Sequence, residues 1–107
     1  MRPKLSKAAF EVIADRGHSA FRTAAVSARA GVSQGAQVHH FATKDELTLG
    51  ALEYAFSQAT EASERRLASI PPRANPVPYL LADLREFFLR KHYWVALDIA
   101  MDGSKNS

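Results

Sequence analysis

"TAAVSARAGVSQGAQVHHF", residues 23–41, carries two incompatible readings. Inside it, Gly31-Val32-Ser33-Gln34-Gly35 fits G-x-S-x-G, the pattern that presents a nucleophilic serine on a sharp strand-to-helix turn. That chemistry needs a strand before the serine. The residues that precede it, "TAAVSARAG", are mostly alanine and favour helix. His39 lies six positions beyond Ser33, more than a turn along the next helix, and a general base must sit within hydrogen-bond reach of its nucleophile. The chain is also short for the many-stranded sheet of such a hydrolase. No enzymatic activity is therefore expected.

The same residues make physical sense as two short helices around a glycine turn. Thr23 is placed to cap a helix over about 24–30. Gly31 can take the positive φ of the turn. Ser33 is placed to cap a helix over about 34–40. Val26, Ala30 and Val32 would pack this pair onto a preceding helix, and the small Ala28, Ala30 and Ala36 permit close approach. In a helix-turn-helix the second helix offers its first residues to base edges in the major groove.

Outward from this centre the chain stays helical. Leu5, Ala8, Ala9, Val12 and Ile13 recur at helical spacing and predict a helix over 4–16. Pro3 suits its first turn, and Gly17 suits a left-handed C′ position. Thr43-Lys44-Asp45-Glu46 fits a capping box and predicts a long helix from Lys44 to about Ser69. "PPRANPVP", residues 71–78, holds four of the five prolines and reads as a loop. Leu80, Leu81, Leu84, Phe87 and Phe88 resume helical spacing. His92-Tyr93-Trp94 reads as a junction before a further apolar segment from Trp94 to Met101, and the tail "DGSKNS" reads as frayed. Asp98 reads as the polar face of its helix. No alternating strand pattern is present, so the fold class is all-α.

Composition and charge narrow the partners. Apolar residues are 47% and charged residues 23%, an ordinary globular balance, so neither a disordered nor a membrane-embedded chain is indicated. No cysteine is present, which excludes disulfides and thiolate metal sites. No apolar run approaches the ~20 residues of a membrane span, and the N-terminus lacks a signal-peptide core, so a soluble, cytoplasmic protein is expected. The net charge of +3 is unevenly placed. Residues 1–50 hold seven Lys/Arg against four acids, whereas residues 51–107 hold seven of each. A basic half beside a neutral half suits a polyanion.

In combination, "AAFEVIADRG" (8–17), "TAAVSARAGVSQGA" (23–36) and "HHFATKDEL" (39–47) resemble the N-terminal DNA-binding domain of the TetR family of transcriptional regulators. The resemblance covers about half of the chain. It implies a three-helix DNA-binding domain over 1–57, with its helix-turn-helix at about 22–41. A long fourth helix would join it to the beginning of a helical ligand-binding and dimerisation domain over 58–107. It further implies a ligand-responsive repressor that acts as a homodimer on a pseudo-palindromic operator in double-stranded DNA and answers to a small apolar or aromatic effector. No cofactor, metal or membrane partner is expected. Family members usually run to nearly twice this length, so the second domain reads as truncated. The alternative is a helical protein-interaction module of the same origin that no longer binds DNA by itself.

The residues expected at DNA follow from the motif positions. Arg22, Thr23 and Lys44 are candidates for phosphate, with Thr23 equally suited to be only a cap. Ser33, Gly35 and Ala36 start the recognition helix and let it approach closely. Gln34 and Gln37 can each pair with adenine N6/N7. His39 can reach a phosphate or base, while His40 and Phe41 read as packing residues. Where family members often carry Leu-Tyr, this chain has Gln37-Val38. Either Gln37 turns toward DNA with Val38 inward, or the tyrosine's phosphate contact is lost. Among the late aromatics, Phe87, Phe88, Tyr93 and Trp94 are the candidates for an effector pocket, with plain core packing as the alternative for each.

Overall fold

The structure is a computed structural model and describes residues 1–105. Six helices follow one another: α1 (Arg2–Arg16), α2 (Thr23–Ala30), α3 (Gln34–His40), α4 (Lys44–Ala68), α5 (Val77–Leu89) and α6 (Lys91–Lys105). The all-α expectation is met. α1 is the centre of the packing, lying against α4 and α2 and touching α6. Its Leu5, Ala9, Phe10 and Ile13 are almost entirely removed from water. Phe10 breaks the simple apolar stripe because α6 covers a side of α1 that a two-layer packing would leave open. Val95 and Ile99 of α6 belong to the same core.

The turn between α2 and α3 is built as its sequence requires. Gly31 adopts φ 71°, ψ 33°, the left-handed conformation. Its N–H donates to Ala28 O (3.2 Å), and Val32 N–H donates to Ser27 O (3.1 Å). Those two bonds form a Schellman motif and satisfy the last carbonyls of α2. Ser33 Oγ then accepts Ala36 N–H at 3.1 Å, capping α3. At the start of α4, Thr43 Oγ1 accepts Glu46 N–H at 3.1 Å. The Glu46 carboxylate reaches one residue beyond the usual box and accepts Ala42 N–H at 2.7 Å.

Several local expectations are corrected. Thr23 does not cap α2: Arg22 holds the cap position in extended backbone, and Thr23 is the first helical residue. Gly17 has a positive φ of 81° but ψ 155°, so it ends α1 by sending the chain outward, not by curling it left-handed. Pro78 lies in the first turn of α5, where a missing N–H costs nothing, so the proline loop closes at Pro76. The α5–α6 corner falls at Arg90, in extended backbone, and His92, Tyr93 and Trp94 are already helical. α6 continues through Lys105, and the last two residues of the tail lie outside the described residues.

Asp98 is more than a polar face. Its Oδ2 accepts the backbone N–H of His18 at 2.8 Å. The His18 ring also meets Asp102 Oδ2 (2.5 Å) and Thr48 Oγ1 (3.2 Å). One residue of the α1–α2 loop thereby joins α6 to α4.

Candidate nucleic-acid interface

A seven-residue helix buries one side and shows the other. In α3, Gln37 is buried, Ala36 and His40 are half-buried, and Gln34, Gly35, Val38 and His39 are exposed. At about 100° per residue the four exposed positions form one continuous arc. This arc and the Ser33 cap form the outward face of the helix-turn-helix.

Gln37 is the clear correction to the expected DNA contacts. It is 3% exposed, and Ser27 Oγ on α2 donates a hydrogen bond to its side-chain carbonyl. An amide so enclosed is not available to a base edge. Val38 stands outward at 53% exposure. The alternative with Gln37 toward DNA and Val38 inward is therefore overturned. Replacing Gln37 by leucine should leave the Ser27 hydroxyl buried without its acceptor, a loss of about 1–3 kcal/mol in chemical denaturation. The double replacement Ser27→Ala with Gln37→Leu should recover much of it, since removing both partners is far less costly. Equal losses in the single and double variants would mean that the pair is not what holds α3 to α2.

Phe21 brings the cationic candidates together. It is fully buried just before α2. Arg22 Nη1 donates to its carbonyl oxygen at 3.1 Å, and Lys44 Nζ lies 5.5 Å from its ring centroid. The start of α2 and the start of α4 thus place two cations around one aromatic residue. Among the described residues neither makes an ion pair with a carboxylate within 4.0 Å. Arg29, by contrast, is engaged with Asp15 at 2.6 Å, and this hydrogen bond holds the Asp15 carboxyl below its usual range. Thr23 is half-buried beside Arg22 and has a backbone N–H at the helix start. His39 is exposed, with its ring 5.1 Å from that of His40 in an edge-on arrangement.

The candidate effector residues divide. A cavity of about 260 Å³ opens between α4 (Phe56, Ala59), α5 (Phe87) and α6 (His92, Tyr93, Leu97). Phe87 and Tyr93 line it, but Phe88 and Trp94 do not. Each follows a lining residue by one position and is turned about 100° away, Phe88 to 50% and Trp94 to 57% exposure. His92, which the sequence marks only as part of a junction, also lines the cavity, and nothing local signals that role. Its ring stacks on Phe10 of α1 with centroids 4.8 Å apart, and its Nδ1 is buried without a hydrogen-bond partner among the described residues. Burial, then the nearby charges of Arg90 and Lys91, lower its pKa.

Comparison with known proteins agrees with this geometry. A family described as "Bacterial regulatory proteins, tetR family" matches residues 5–51, the stretch from α1 into α4. The chain is also similar to the HTH-type transcriptional regulator CymR of Pseudomonas putida, with 41% identity over 103 residues. That alignment takes in 96% of this chain and 51% of the relative, so the chain spans about half the length of the curated relative it matches. With the Schellman turn, the Ser33 cap and the outward face of α3 all inside the matched residues 5–51, the helix-turn-helix part of this chain is that of the tetR family of bacterial regulatory proteins.

Proposed function

We propose that this chain serves as the DNA-binding part of a sequence-specific transcriptional regulator, a ligand-responsive repressor working in the cytoplasm as a homodimer. The observation that carries the reading is the exposed arc of α3, flanked by Arg22 and Lys44. Residues 1–57 would form the DNA-binding domain, and residues 58–107 would begin the ligand-binding and dimerisation domain. Gln34 and His39 would face the groove, with Ser33, Gly35 and Ala36 at the close approach. Arg22, Lys44 and the N–H of Thr23 would take phosphates, which set register but carry no sequence information. In a dimer the two α3 helices would enter major grooves ~34–36 Å apart or a multiple of that spacing.

Ligand response is supported by two contacts of α6. Its His92 and Tyr93 line the apolar cavity, and its Asp98 and Asp102 hold His18. A small apolar or aromatic effector in the cavity would displace the helix that holds the loop before α2. Selection of bound duplexes from a random library tests the reading, and an enriched site is expected at low salt. Affinity for it should fall steeply with added salt. Lys44→Ala should weaken all sequences alike and reduce the salt slope by about one. If no duplex is enriched, the reading fails.

A second reading has one observation in its favour. α5 has no buried residue, and Leu81, Leu84, Phe88 and Leu89 are each at least half exposed. A helical interaction module that binds DNA only with a partner would use that face. Mass measurement in solution, alone and with the selected duplex, separates the two: the module would remain a monomer and shift no duplex.

A further inference from the structure

We infer that Val38 is a specificity-determining residue that reads the 5-methyl group of a thymine, in a half-site that also presents an adenine to Gln34. The inference rests on the DNA-binding reading above and adds to it the identity of the bases. Three observations support it. First, the roll of α3 about its axis is fixed, because the buried Gln37 takes a hydrogen bond from Ser27 and Phe41 is locked in the core at the helix end. Val38 therefore stands outward by construction, not by a free rotation of the helix. Second, Val38 gives the fold little where it stands. A β-branched residue is a mediocre helix former, and an isopropyl group more than half exposed gains little from burial. Third, its neighbour on the arc is Gly35. A Cβ built there would come within 4 Å only of Ser33 Oγ, so the space beside Val38 is open on the outer side.

The outer face thus presents an amide, then a hollow, then a branched apolar group. In the major groove the apolar feature of the base edges is the thymine methyl, and the bidentate partner of a glutamine amide is adenine. Gln34 and Val38 are one helical turn apart on the same side. Four residues of helix rise about 6 Å, close to two base steps of about 3.4 Å each. One side of α3 can therefore address an adenine and a thymine about two steps apart.

The test uses the whole chain and its selected duplex. Each thymine of one half-site is replaced in turn by deoxyuridine, which removes only the methyl group. Binding should weaken about fourfold at one position, the worth of one methyl group taken out of water. Val38→Ala should bind thymine and uracil alike at that position, with an unchanged salt slope. Alanine favours helix, so the variant should fold, and its circular dichroism should match the parent. A selected site in which uracil is tolerated everywhere overturns the inference and leaves DNA binding standing. Retained discrimination in Val38→Ala also overturns it. Failure to select any site would instead overturn the DNA-binding reading itself.

Discussion

Phe41→Ala is expected to destabilise the chain by about 3–5 kcal/mol, the range for removing a fully buried aromatic ring. The ring is 2% exposed and stands where three elements meet. It follows α3 directly. On α4, a Cβ at Gly50 would come within 2.9 Å of the ring, so the glycine is what lets the helix close on it. From α1, the Arg2 guanidinium lies 4.4 Å from the ring centroid. Alanine would leave a void that three helices cannot collapse together, because each is held elsewhere by its own cap or core contact. A domain of ordinary stability has about 5–15 kcal/mol in all, so the loss would unfold a substantial fraction of weakly stable molecules. Urea denaturation gives the measurement. A loss below about 1 kcal/mol would mean that α3 is not anchored through this ring.

Phe41 and the helix-turn-helix were legible in the sequence because their determinants are local. Gly31 ends α2, Ser33 caps α3, and Val26 and Ala30 point inward for reasons contained within a few residues. Gln37 was not legible. Its polarity suits a base contact, and only the fold brings the Ser27 hydroxyl to it across the turn. His18 was less legible still, since its partners on α6 are 80 and 84 positions away. The same limit divided the aromatic candidates. Helical spacing says that Phe87 and Phe88 differ by 100°, but only the position of α4 decides which of them faces the cavity. Thr23 is the first residue of α2 and not its cap: hydroxyl residues suit both N-cap and first-turn positions, and the extended backbone of Arg22 decides between them.

Gly35→Glu is expected to lower affinity for the selected operator by about three orders of magnitude or more, toward the level of non-specific binding, while the protein stays folded. The second half of that expectation makes the first informative. Gly35 is the second residue of α3, where a carboxylate is favoured by the helix dipole. The backbone there needs no positive φ, and an added Cβ would meet only Ser33 Oγ, at 3.9 Å. Nothing inside the protein requires a glycine at this position. Indeed glycine costs a helix roughly 0.5–1 kcal/mol relative to alanine, so Gly35→Ala should raise the thermal midpoint while weakening binding. Stability and affinity would then move in opposite directions at one site, as they do where a residue serves an external partner at the expense of the fold. The glutamate adds a negative charge and a long side chain in the hollow beside Val38, facing a phosphate-lined groove. Thermal denaturation and operator titration of both variants make the comparison. Wild-type affinity in Gly35→Glu, with the fold intact, would show that the outer face of α3 does not meet DNA.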